Sequence, residues 1–169
     1  DPQKYARDVE KVIASGKTPA GTHRPICVKE VLAILKPAPG QIGLDATLGF
    51  GGHAVELLKK IAPGGRLFAM DVDGVEIART QKRLRDLGVG ESELIIKRGN
   101  FAGASKLISE AGGGFDFILA DLGISSMQLD NPERGFTFKR EGPLDLRFNP
   151  QRGESAAQLI RSLDEKQLE

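Results

Sequence analysis

IGLDATLGFGGH, residues 42–53, is the stretch on which the reading of this chain turns. Ile42–Thr47 is short and largely apolar, as a buried strand is. The chain then runs through Gly49, Gly51 and Gly52 into a helix expected over about 53–61. Strand, glycine turn, helix is the repeating unit of an open parallel sheet, and ligands of such sheets sit outside the carboxyl ends of the strands. Glycine there admits positive φ and lets backbone approach a ligand closely; the alternative is a tight turn that holds nothing.

Working outward, the alternation continues. Pro63-Gly64-Gly65 closes the helix, and RLFAMD (66–71) reads as a nearly continuous apolar strand. Asp73, three residues before Glu76, opens a helix in the manner of a capping box, and Gly88 ends it. ELIIKR (93–98) is a third strand, 103–111 a helix, and FDFILAD (115–121) a fourth strand. This pattern predicts an α/β, doubly wound, Rossmann-like domain whose parallel sheet is covered on both faces. Upstream, Val28 to Leu35 forms a helix stopped by Pro37-Ala38-Pro39-Gly40. Tyr5, Val9, Val12 and Ile13 suggest another over 4–14, followed by a Gly/Pro-rich connector over 15–25. Residues 122–153 show no periodicity, the mark of a functional or irregular loop. Ser155 and Gln158 then open a helix that places Ala156, Leu159, Ile160 and Leu163 on one face and continues to the end.

At 169 residues the chain is one ordinary domain, and 40% apolar content is enough for a core. Composition is that of a soluble, intracellular globular protein. Lys plus Arg number 24 against 23 Asp plus Glu, so nucleic-acid binding would need a local basic patch. No apolar run approaches the roughly 20 residues of a membrane-spanning helix. The single cysteine excludes a disulfide framework within the chain; Cys27, between Ile26 and Val28, is expected to be buried. His53 reads as a polar turn residue, and no metal site is expected.

Gly49, Gly51 and Ala54 satisfy G-x-G-x-x-A, the dinucleotide fingerprint, and Asp71 lies 22 residues beyond Gly49, where a carboxylate could accept from ribose hydroxyls. NAD and S-adenosylmethionine share that ribose. Asp45, at the end of the first strand, would repel a pyrophosphate and suit the cationic amino acid portion of S-adenosylmethionine. An NAD(P)-dependent oxidoreductase is the alternative. Asp121 closes the fourth strand and faces the crevice from the other side, near a reacting methyl group or target base, unless it merely serves a turn. Phe101, after Gly99-Asn100, covers an adenine or belongs to the core. Between 131 and 152, Arg134, Lys139, Arg140, Arg147 and Arg152 alternate with Phe136, Phe138 and Phe148. Such a mixture binds phosphates and stacks on unpaired bases, or is a solvated loop with aromatic anchors.

The ordered motifs HRPICVKEVL (23–32), DATLGFGGH (45–53), FAMDVD (68–73), DLGISSMQLD (121–130) and RGFTFKREGPLDLRFNPQRGESAAQ (134–158) resemble those of the bacterial-type small-subunit rRNA (cytosine-N4)-methyltransferases. The resemblance covers about residues 23–169. It implies a class I methyltransferase fold that uses S-adenosylmethionine to methylate the exocyclic amine of a cytidine in the ribosomal decoding centre. By position it assigns the cofactor to Gly51, Gly52, His53, Asp71, Phe101, Asp121 and Gln128, beside Asp45 and Gly49. Asp121 is the candidate catalytic acceptor; Arg134, Lys139, Arg140 and Arg147 are candidate RNA contacts. The partner is small-subunit rRNA or the assembling subunit, with no membrane. The resemblance divides the chain into an N-terminal extension (1–22), a partial methyltransferase core (23–153) and the start of a helical insertion (154–169). The family's chains are longer, so this one is expected to be a fragment whose fourth strand lies exposed and invites self-association or a homodimer. A non-catalytic cofactor- or RNA-binding module is therefore a further alternative. The extension before His23 fits a removed organelle-targeting segment, with bacterial cytoplasm the other location.

Overall fold

A computed structural model describes residues 25–168. The helix expected over 4–14 and nearly all of the connector lie outside them. Chain order is α1 (Val28–Leu35), β1 (Ile42–Asp45), α2 (Gly52–Ile61), β2 (Arg66–Asp71), α3 (Gly74–Asp86), β3 (Leu94–Arg98), a 3₁₀ segment (Phe101–Leu107) running into α4 (Ile108–Ala111), and β4 (Phe117–Leu119). Then come α5 (Ser126–Asp130), a 3₁₀ turn (Pro132–Arg134), α6 (Ala156–Ser162) and α7 (Glu165–Leu168).

The sheet is parallel in the order β3-β2-β1-β4. The chain builds outward from β1 to β3, then crosses back to lay β4 on the other side of β1. That reversal is the topological switch point, where neighbouring connections leave in opposite directions and open a crevice. Side chains of β2 alternate between the two faces. Leu67 and Ala69 join Ala54, Leu57 and Ile61 of α2, Leu84 of α3 and Phe117 of β4 in one cluster. Phe68 and Met70 meet Leu107 and Ala111 on the other face, and Phe115 packs edge-on to Phe68 at 5.6 Å. Burial on both faces accounts for the continuous apolar run in β2, and each large side chain so buried contributes about 1.5–3 kcal/mol.

Boundaries differ from the sequence pattern where a side chain replaces the ladder. Beyond Leu119 the Asp121 N–H donates to the Thr47 hydroxyl at 2.8 Å, because β1 has already turned away; β4 therefore stops short of the expected 115–121. The helix expected over 103–111 begins as 3₁₀, with the Asn100 side chain capping Ala102 N–H at 2.8 Å. Only Leu107 and Ala111 are buried along it, which leaves packing too sparse to enforce α geometry. α5 has a capping box of its own between Ser125 and Gln128, a signal present in the S-x-x-Q spelling of 125–128. The Ser155/Gln158 box forms as expected, but the helix ends at Ser162. A reciprocal pair between Asp164 and Gln167 starts α7 instead. Cys27 is exposed, not buried: it is the left-handed N-cap of α1 (φ 50°), while Leu32 and Leu35 carry that helix's packing. Among the described residues β4 has one strand neighbour, with Ile118 56% exposed, and no helix is long and apolar enough to cross a membrane.

Gly43 in β1 is required by packing, since a Cβ there would overlap the Phe117 ring. Gly43→Ala is expected to lower stability by about 1–3 kcal/mol through overpacking. A urea titration checks this, and an unchanged midpoint would show that Phe117 swings aside without cost.

Candidate active site

The loop after β1 owes its shape to two glycines and to the helix behind it. Gly49 and Gly51 adopt φ of 47° and 73°, and a Cβ on Gly51 would come within 2.9 Å of the Thr80 methyl. Thr80 on α3 donates its hydroxyl to the Gly49 carbonyl at 2.6 Å. Arg83, one turn on, lies 3.8 Å over the Phe50 ring and donates to the Phe50 carbonyl. α3 thus presses the loop into place from below. α2 begins directly after Gly51 with no side-chain cap, and Gly51, Gly52 and His53 at its start line the crevice.

Around this loop stand three carboxylates and an imidazole. Asp71, at the end of β2, accepts from Gly49 N–H on Oδ2 (2.7 Å) and from Asp73 N–H on Oδ1 (2.9 Å), with lone pairs left for a further donor. This is also why Glu76 does not complete a capping box: the Asp73 amide it would serve is already taken. Asp121 is half-exposed, its Oδ2 3.7 Å from His53 Nδ1, while His53 Nε2 donates to the Ile26 carbonyl at 2.9 Å. Asp45 lies beneath, 1% exposed, accepting from Thr47 N–H at 3.1 Å. Burial pushes its carboxyl up to about 6; the Thr47 amide and His53 oppose that, and Asp71 and Asp121 reinforce it.

Asp73 ties the rest of the chain to this frame. It is fully buried, caps α3 through Val75 N–H (3.1 Å) and Glu76 N–H (3.4 Å), and accepts on its other oxygen from Gln128 Nε2 (2.9 Å) and Arg134 (2.7 Å). Burial alone would raise its pKa; the hydrogen bonds from Gln128 and Arg134 and the charge of Arg134 outweigh that and hold it below the ordinary carboxylate range. Arg134 also donates to the carbonyls of Arg147 (3.1 Å) and Phe148 (2.9 Å). Arg98 reaches Asn149 (3.0 Å) and Gln151 (2.8 Å) from the end of β3. The irregular segment is therefore pinned across the carboxyl edge of the sheet.

The resulting crevice of about 590 Å³ brings together Gly49, Gly51, Gly52, His53, Asp71, Phe101, Asp121 and Gln128, with Phe148 from the pinned segment as an added wall. Its size suits a nucleoside-sized ligand. Asp45 underlies it without lining it. Gln128 lines it, but its amide is engaged by Asp73 and by Ser125 N–H (3.0 Å), so its side chain positions neighbouring groups. Among the four expected RNA contacts, Arg134 is corrected: it is a buried clamp. Arg147 is engaged by Asp145 (2.6 Å) and the Gly153 carbonyl (3.0 Å). Lys139 and Arg140 are exposed. Thr47, Thr80, Arg83 and the hub role of Asp73 were missed from sequence, since nothing in local spacing marks a partner 31 or 61 residues away.

A parallel sheet with its switch point at a glycine loop, and a carboxylate closing each of the flanking strands, defines a Rossmann-like domain for an adenosine-containing cofactor. The particular family is shown by comparison: residues 20–169 match the MraW methylase family, and the chain belongs to it. It is 56% identical to ribosomal RNA small subunit methyltransferase H 2 of Alkaliphilus metalliredigens over 99% of this chain and 48% of that protein. It is 54% identical to ribosomal RNA small subunit methyltransferase H 1 of Lachnoclostridium phytofermentans over 99% of this chain and 46% of that one. Among solved structures it is similar to TrmN from Thermus thermophilus (20% identity, TM-score 0.47, 60% of this chain and 29% of that chain). The chain spans about half the length of the curated relatives it matches. The residues present fit S-adenosylmethionine: buried and half-buried carboxylates balance a cation, Asp71 retains acceptor capacity for a ribose diol, and Phe101 offers an exposed ring. The same carboxylates would repel the pyrophosphate of NAD.

Two expectations follow from the buried charges. Removing Arg134 strands the Asp73 carboxylate without its counter-charge, so Arg134→Ala should cost about 3–5 kcal/mol in a denaturant titration and open 126–148 to limited proteolysis. Asp45 has the opposite sign. Its folded pKa, raised to about 6 from 3.8, contributes stability in full below 3.8 that is lost as pH rises through 6. Asp45→Asn is accordingly expected to stabilise the ligand-free protein at pH 8, by up to about 3 kcal/mol, and to have little effect at pH 3.5. Equal melting of variant and wild type at both pH values would contradict a neutral-favouring site at Asp45.

Proposed function

We propose that this protein transfers a methyl group from S-adenosylmethionine to the exocyclic N4 amine of a cytidine in the decoding region of small-subunit rRNA, in the cytoplasm, on free rRNA or the assembling subunit. The observation that carries the reading is the carboxylate-lined crevice at the switch point of a chain belonging to the MraW methylase family. When bound, S-adenosylmethionine supplies a methyl group activated by its sulfonium. Asp71 receives the ribose hydroxyls, Phe101 covers the adenine, and Asp45 offsets the positive charge of the amino acid portion. Gly51, Gly52 and His53 bring backbone and imidazole against the same molecule. The 126–148 segment, pinned through Asp73, walls the crevice and keeps water from the transfer.

Asp121 is the acceptor we assign to the amine. An aromatic exocyclic amine is a weak nucleophile because its lone pair is delocalised into the ring. A carboxylate accepting from its N–H returns electron density to nitrogen and is placed to take the proton after transfer. Asp121 suits this by position, two residues past β4, half-exposed at the crevice and 3.7 Å from His53. The base reaches it only when unstacked from its neighbours.

Calorimetric titration with S-adenosylmethionine and NAD in parallel tests the cofactor: saturable binding of the first alone, lost in Asp71→Ala, is expected. Because a cation favours ionised Asp45, binding near pH 6 should release protons, seen as a heat that depends on the buffer's ionisation enthalpy. Methyl transfer to small-subunit RNA, mapped to one cytidine, tests the reaction. Asp121→Asn should lower kcat by about 10²-fold or more with cofactor affinity retained. An unchanged kcat with weakened cofactor binding would make Asp121 a cofactor ligand only.

A further inference from the structure

The pinned segment presents an aromatic group that the fold does not use. Phe136 and Phe148 pack with ring centroids 5.2 Å apart and planes tilted by 45°, and Phe148 lines the crevice. Arg134 secures the start of the segment to Asp73, and Arg98 secures its end at Asn149 and Gln151. Between these anchors Phe138 is 95% exposed, the most exposed of the large apolar side chains among the described residues. Two exposed cations follow it directly, Lys139 and Arg140; neither belongs to an ion pair among the described residues. Two residues of chain span at most about 7 Å, so the backbone of Phe138 lies within that distance of Phe136, whose ring contacts Phe148 of the crevice lining. An aromatic face with adjacent cations, held at fixed distance from a site, matches the chemistry of an unpaired nucleotide: a π-face for the base and positive charge for its phosphates.

The geometry points to Phe138, with Lys139 and Arg140, as a stacking platform for an unpaired base flanking the nucleotide in the crevice. Phe138 holds that neighbour by its face while Lys139 and Arg140 hold the adjoining phosphates. The flanking strand is thereby kept from restacking over the vacated position, which favours the target base remaining in the crevice. This rests on the RNA reading above and adds to it a second subsite, tolerant of base identity because every base has a π-face.

The test uses a single-stranded RNA oligonucleotide containing a cytidine with 5-iodouridine beside it, and the variants Phe138→Leu and Phe138→Tyr. Leucine keeps an apolar side chain without the π-face; tyrosine restores the face. Phe138→Leu should weaken RNA binding about 5- to 150-fold with S-adenosylmethionine affinity unchanged, and should abolish a photocrosslink that wild type and Phe138→Tyr form at residue 138. Replacing both Lys139 and Arg140 by alanine should reduce the slope of log affinity against log salt by about 1.4. Wild-type RNA affinity in Phe138→Leu, with the crosslink elsewhere, overturns the platform and leaves the RNA reading standing. Wild-type protein that binds S-adenosylmethionine but no RNA overturns both. Self-association that Phe138→Leu abolishes, with RNA binding unaffected, assigns the ring to a second copy and overturns the platform.

Discussion

The buried carboxylate of Asp73 is the point on which the site depends. One oxygen caps α3, and α3 carries Thr80 and Arg83, the two side chains that hold the carbonyls of Gly49 and Phe50. The other oxygen holds Gln128 and Arg134, and through Arg134 the carbonyls of Arg147 and Phe148. A fully desolvated carboxylate is tolerable only when its charge is matched and its lone pairs are filled, and here both conditions are met by elements that build the crevice. Floor and wall of the site are thus coupled through a single group. Its backbone amide extends the coupling to Asp71, whose other oxygen steadies Gly49.

The same region concentrates negative charge without compensating it fully. Asp45 and Asp71 end the neighbouring strands β1 and β2, Asp121 follows β4 on the other side of β1, and their charges interact, with His53 as the nearby basic group. Burial is the main cost of ionising Asp45, and the neighbouring charges of Asp71 and Asp121 add to it. A cationic ligand relieves it. Local destabilisation and ligand preference are therefore linked here: a buried carboxylate beside two more exposed ones attracts what the fold itself does not provide.

Much of this was legible in the residues. The alternation of strand and helix, the nearly continuous apolar RLFAMD strand and the glycine loop follow from hydrophobic period and turn chemistry, which depend on near neighbours along the chain. So do the Ser155 box and the carboxylates at Asp45 and Asp71, which end their strands, while Asp121 falls two residues past β4. The Ser125 box was equally legible and lay hidden in a segment without periodicity. Cys27 misled because its apolar neighbours suggested a core, whereas its left-handed cap geometry turns it outward.

The separate roles of four cations in the 131–152 segment were beyond reach in that way. In composition Arg134, Lys139, Arg140 and Arg147 are alike; in the fold one is a buried clamp, one is paired with Asp145, and two face outward. Phe138 and Phe148, similar in sequence, separate into a free ring and a crevice wall. The sequence by itself determined the fold class and the acidic glycine loop, because those rest on interactions a few residues apart. Only the tertiary structure decided which charges are structural and which are available, because Asp73 and Arg134 meet across 61 residues and burial is a property of the packed whole.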